Sequence, residues 1–188
     1  CRTSTPTSTS TTSCSSNSLR DGSNQRRSSA VNVLGIDPGT RKTGWGILAI
    51  RDGLLHHVDS GVIIPRAKTP LHERLLEIHQ GLVAQINTHD LDAVAVEDIF
   101  FAKHPQGALK LGHARGVALL AVAQSGIELH SYPPAQVKRA ISGSGRADKG
   151  QIGRLVTMLL RLQKVPQEDQ ADALAVAICH AARAARLR

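Results

Sequence analysis

Aromatic side chains are scarce in this chain: two Phe, one Trp and one Tyr among 188 residues. Leu, Val, Ile and Ala must therefore fill most of the core. Cysteine is nearly as rare. Cys1, Cys14 and Cys179 show no metal-type spacing and build no disulfide framework, which points to a reducing compartment. No apolar run reaches the ~18 residues of a membrane span, and the first residues lack the apolar middle of a secretory signal. The expected location is cytoplasmic. Acids are the under-represented charge, 15 against 23 Lys and Arg, for a formal net charge of +8. Such a balance favours a polyanionic partner, nucleic acid above all, because each phosphate contact releases a counterion. Ordinary solvated Lys and Arg account for the charge about as well.

The length allows one domain with a proper core and hardly two. Residues 1–30 are about half Ser and Thr, with no periodic apolar pattern, so they cannot offset the entropy of ordering. They are read as a disordered leader. The chain opens on Cys1 rather than Met, which points to a fragment, a processed product or an upstream translation artefact. Residues 31–188 carry the fold. "VNVLGI", "TGWGILAI" and "LLHHVDSGVII" read as three strands joined by short turns. Helical spacing follows in Leu71, Leu75, Ile78, Leu82 and Ile86. "LDAVAVE" is a fourth strand, "GALKLGHARGVALLAVAQSG" an apolar helix, and "IELHSY" a fifth strand. Three helices close the chain, over "AQVKRAI", "QIGRLVTMLLRL" and "DQADALAVAICHAARAARLR", the first two separated by the Gly/Ser loop "SGSGRADKG". The expected fold class is a layered α/β domain with a mixed sheet.

Within that frame the acids are oddly placed. Asp37 ends the first strand and Glu97 the fourth, where burial of a lone charge is costly unless it is paired, protonated or holding a cation. Asp169 and Asp172 open the last helix at i, i+3 spacing, on one face. Capping and the helix dipole explain Asp169 alone equally well, and a solvated strand end explains Glu97 alone. Taken together they read differently. The ends of the first and fourth strands can be neighbours in a mixed sheet, and the last helix can pack over them. Clustered carboxylates repel, and divalent cations resolve the repulsion. Oxygen-only ligands suit Mg²⁺ or Mn²⁺, and two such ions can flank a phosphodiester. Asp37 is thus expected to be a metal ligand.

Four stretches, "LGIDPGTRKTGWG", "AVEDIFFAKHPQGALKLGHARGVA", "YPPAQVKRAISGSGRADKGQI" and "DQADALAVAICH", in order and at compatible spacing, resemble the successive motifs of the RuvC family of Holliday junction resolvases. The resemblance covers residue 31 to about 185. It implies a ribonuclease H-like three-layer fold with a five-stranded mixed sheet, a homodimer, Mg²⁺-dependent paired nicking of four-way DNA junctions, and work beside the RuvA–RuvB branch-migration complex. The family's four acids fall on Asp37, Glu97, Asp169 and Asp172, its functional lysines on Lys138 and Lys149, and its junction-stacking aromatic on Phe100. Arg146, in the basic segment between those lysines, is expected to touch DNA. Asp98, beside Glu97, should face the other way, since adjacent strand residues alternate.

The accessory residues have plainer readings too. Lys149, just past the Gly/Ser loop, could swing toward a phosphate or simply be a solvated lysine in a helix's first turn. Of Phe100 and Phe101, one is expected to stack on a base and the other to plug the core. Gly112 and Gly116 permit close helix approach, within the monomer or across a dimer. Three competing functions remain. A YqgF-type nuclease acting on RNA fits the fold, but the basic segment from Gln136 to Arg154 speaks against it. "DPGT" resembles the phosphate loop of actin-like ATPases and sugar kinases, yet that fold needs a second, duplicated domain. A non-catalytic junction-binding module would have no use for four clustered acids.

Overall fold

The structure, a computed structural model, describes residues 30–98, 105–143 and 149–186. The leader, Phe100, Phe101 and Arg146 lie outside the described residues. The elements run β1 (Val31–Asp37), β2 (Thr43–Arg51), β3 (Leu54–Ile63), α1 (Leu71–Thr88), β4 (Ala93–Glu97), α2 (Pro105–Ser125), β5 (Glu128–Tyr132), α3 (Pro134–Ser142), α4 (Lys149–Leu159) and α5 (Glu168–Arg186). Among the described residues no helix is long and apolar enough to cross a membrane.

The five strands form one mixed sheet, ordered β3-β2-β1-β4-β5. β1, β2 and β3 make the antiparallel meander that the short turns dictate, whereas β1–β4 and β4–β5 are parallel, reached through α1 and α2. Strand alternation then sorts side chains onto two faces. Leu34, Ile36, Trp45, Ile47, Val94 and Val96 face α1 and α2, meeting Ile78, Leu82, Ile86, Ala118 and Val122. Val33, Leu48, Ala95 and Tyr132 face the other way, toward α3, α4 and α5, and meet Val137, Ile152, Val156 and Leu174. Two apolar clusters on either side of one sheet make three layers.

Two boundaries depart from the apolar pattern. Of the α1 stripe only Ile78, Leu82 and Ile86 are buried, because Leu71 and Leu75 occupy the first turns near the open end of the sheet. Helix α4 opens at Lys149, two residues before the stretch read as helical. A first helical turn that buries nothing leaves no apolar mark. Helix α3 starts on Pro134, whose fixed φ and missing N–H suit a helix's first position. It stops at Gly143, whose φ of 70° is the left-handed C-terminal cap that glycine adopts readily.

Candidate active site

β4 is held in register at its beginning. The Asn32 backbone N–H donates to Asp92 Oδ2 at 2.7 Å, Asn32 Nδ2 donates to the Asp90 carbonyl at 2.7 Å, and the Asp92 N–H donates to the Asn32 carbonyl at 2.9 Å. From that anchor the parallel pairing runs Val33–Ala93 to Ile36–Val96. Asp37 and Glu97 are the next residues on each strand, side by side. Both continue the set that faces α5, since Gly35 and Ala95 precede them by two on that face.

Helix α5 reaches the same spot because β1 and β2 lack side chains under it. A Cβ at Gly44, the partner of Asp37 across the β1–β2 ladder, would lie 1.9 Å from the Asp169 carbonyl oxygen. One at Gly35 would lie 2.1 Å from the Ala173 carbonyl oxygen. Bare backbone lets the helix rest directly on the strands, with its first turns over the end of β1. The turn between β1 and β2 is tied to its own exit: the buried Thr43 hydroxyl donates to the Gly39 carbonyl at 2.8 Å.

Asp37, Glu97 and Asp172 line one cavity of about 230 Å³, together with Lys138 of α3 and an apolar wall that includes Pro134, Val137, Ile152 and Ala175. Strand ends supply two carboxylates, helix α5 the third and helix α3 the cation. Asp169 does not line this cavity. Its carboxylate stands 3.5 Å from Lys42 Nζ, a residue the sequence reading did not single out. Asp98 turns to the opposite side of the sheet, where its Oδ1 lies 3.1 Å from Arg115 of α2. Arg115 also donates to the Ser131 hydroxyl at 2.9 Å, tying the end of β4 to β5 and α2. Lys149 contributes the first residue of α4.

The donor set of the cavity is carboxylate oxygen throughout, which fits a hard divalent cation such as Mg²⁺. Among the described residues, no three His, Cys, Asp or Glu side chains are grouped tightly enough to hold one ion as they stand. The histidines, read from sequence as ungrouped, do form a cluster further along α5. Tyr132 Oη and His180 Nδ1 share a buried hydrogen bond of 2.9 Å, and the His130 and His180 rings lie 4.5 Å apart. Burial, and then the neighbouring His130, push the His180 pKa down. Burial likewise raises the Cys179 thiol to about 11, so it is inert packing. Their spacing, 48 residues between Tyr132 and His180, leaves no local signal.

Comparison with known proteins agrees with this geometry. The family model "Crossover junction endodeoxyribonuclease RuvC" matches residues 33–180. The RuvC of Citrifermentans bemidjiense is 50% identical over 149 residues, covering 79% of this chain and 91% of that protein. The RuvC of Chloroflexus aurantiacus is 48% identical over 159 residues, 84% of this chain and 97% of its own. Among solved structures, Thermus thermophilus RuvC in complex with Holliday junction substrate superposes with a TM-score of 0.77 at 34% identity, covering 84% of this chain and 96% of that one. The yeast mitochondrial resolvase Ydc2, at 12% identity and a TM-score of 0.59, shares the fold. The matched span takes in all four acids and both lysines, and the chain belongs to the RuvC family of crossover junction endodeoxyribonucleases.

Proposed function

We propose that this protein is a structure-selective DNA endonuclease that resolves four-way Holliday junctions by paired nicks, in recombination and repair. The observation that carries the mechanism is the convergence of Asp37, Glu97 and Asp172 with Lys138 on one cavity at the carboxyl end of the sheet. Asp37, Glu97 and Asp172 are the residues to hold divalent cations, with Asp169 at the rim as the fourth family acid. Two Mg²⁺ ions, or Mn²⁺ in their place, would activate the attacking water and stabilise the leaving oxygen of the phosphodiester. The chain's own part is to hold the scissile phosphate. Lys138 brings a positive charge to the cavity in which that phosphate would lie, and Lys149, Arg146 and Phe100 are assigned to the DNA by their place in the family's motifs. Fixed cations aimed at a phosphoryl group stabilise charge as it develops without reorganising.

Paired nicks need two sites, so the working unit is a homodimer. Helix α2 supports this. Leu109, His113, Gly116 and Leu120 are exposed at i, i+4, i+7 and i+11, a stripe along one side of the helix. A Cβ at Gly116 would meet nothing within 4 Å among the described residues, so the glycine leaves room there for a second copy. The RuvA–RuvB complex is the proposed machine partner and the cytoplasm, where bacterial DNA lies, the proposed compartment.

The deciding experiment offers the protein a synthetic four-way junction, a linear duplex and an RNA–DNA hybrid, with Mg²⁺, with Ca²⁺ and with chelator. Symmetric nicks in the junction alone, with Mg²⁺ alone, are expected. Binding should persist in Ca²⁺, whose looser coordination does not support the chemistry. Full cleavage in excess chelator would sink the metal assignment, and preference for the hybrid would favour the RNA-directed reading.

A further inference from the structure

A second basic cavity lies outside the carboxylate site. It measures about 330 Å³ and is lined by Arg41 from the β1–β2 loop, Arg66 and Lys68 from the β3–α1 loop, and Arg74 from the first turn of α1. One of the four cations is cancelled. Glu77 accepts from Arg66 Nε at 2.7 Å and from the Arg66 backbone N–H at 2.8 Å. Arg74 Nη2 donates to the Thr40 carbonyl, which fixes the β1–β2 loop against α1. Among the described residues, none of Arg41, Lys68 and Arg74 has a carboxylate within ion-pair distance. Lys68 also keeps a φ of 66°, a backbone conformation that glycine adopts more easily. Three uncancelled cations around one concavity are a site for a polyanion.

Its place in the sheet names the polyanion. Asp37 pairs with Gly44, and Gly44 with Val62, so the β3–α1 loop leaves the sheet at the same edge as the carboxylates. Strands β1 and β3 are separated by two strand spacings, roughly 10 Å, while a DNA strand advances 3.4 Å per nucleotide, so the cavity sits roughly three nucleotides from the reacting phosphate. We propose that this cavity seats a backbone phosphate of the junction arm that runs out from the cleavage site. The inference rests on the resolvase reading above and adds a second anchor to it, one that sets the path of the arm rather than the chemistry.

The test uses the full chain and junctions with single methylphosphonate substitutions, which neutralise one phosphate at a time. For the wild type, loss of affinity is expected at the scissile phosphate and again about three nucleotides away, following the spacing above. In the Arg41→Gln/Lys68→Gln double variant the second peak should vanish. The slope of log affinity against log salt should become shallower by about 1.8, two contacts at 0.9 each. Cleavage of saturated junction in a single turnover should stay within about twofold of wild type. Lys68→Glu, which keeps the loop but reverses the charge, should bind more weakly than Lys68→Gln. An unchanged slope and an unchanged second peak in the double variant would overturn the phosphate seat while leaving the nuclease intact. A wild type that leaves junctions uncut would overturn the resolvase reading, and this inference with it.

Discussion

The two faces of the sheet are built on opposite plans. Toward α1 and α2 the strands present bulk: Leu34, Ile36, Trp45, Ile47, Val94 and Val96 fill the space between layers. Toward α5 the central strands present little or nothing, with Gly35, Gly44 and Ala95 at the places where the helix comes down. Bulk side chains hold layers apart at side-chain distance and bury much apolar area, so that face supplies stability. Bare backbone lets a helix terminus approach strand ends closely enough for side chains of both to share one small cavity. The face with less in it is the one that can do chemistry.

Separate substitutions should show the two plans to be independent. On the bulky face Leu82→Ala removes a side chain with no exposure, at an expected cost of about 2–5 kcal/mol in unfolding free energy. Single-turnover cleavage below the melting transition should stay unchanged. A rate loss beyond about tenfold would join the two faces. On the other face Asp37→Asn should lower cleavage by at least ~100-fold, about 2.7 kcal/mol of barrier, as loss of one fixed electrostatic group does. Its melting temperature should hold or rise, because one member of a repelling set is gone. Glu97→Gln and Asp172→Asn should follow it. If Asp172→Asn instead melts early and cleaves normally, its carboxylate is scaffolding.

Gly44→Ala lies between these. Its Cβ would collide with backbone, not with a flexible tip, so α5 must lift. Overpacking of this kind costs about 1–3 kcal/mol, and here cleavage and melting should fall together, unlike in either variant above. The smallest effect is in acid. Burial holds the His180 pKa below its ordinary 6.5, so the unfolded chain takes up that proton more readily than the folded one. The stability it confers is complete above pH 6.5 and lost as the pH falls through the lower folded value. Glu128, His130, Cys179 and Arg183 surround it and bear on the same titration. His180→Gln should flatten the decline in melting temperature between pH 7 and 5. Leu82→Ala should keep it.

What the sequence made legible was whatever has a local period. The strands, the five principal helices and the order of the acids all follow from repeats of two or 3.6 residues and from turn residues. The adjacency of β1 and β4 was an inference from layering, and the Asn32–Asp92 lock that sets their register spans sixty residues. Contacts at such range leave no trace in a window of a dozen residues. For that reason Lys42 beside Asp169, Arg115 beside Asp98, and Tyr132 beside His180 were not anticipated. Gly44 looked like an ordinary residue of a glycine-rich strand, because what it makes room for lies 125 residues away. Lys149 shows the opposite limit. Its neighbourhood was read correctly, but a helix start without buried residues has no pattern to mark it.

The anchored start of β4 makes the end of that strand a matter of odd and even. Counting from Asp92, every second residue is delivered to α5, and Glu97 arrives on the odd count. Removing one residue between them would deliver Asp98 to the carboxylate cavity and send Glu97 away; adding one would deliver Val96. The chain therefore tolerates a shortening of this strand better than a lengthening, since an acid stands next in line on one side and a hydrocarbon on the other.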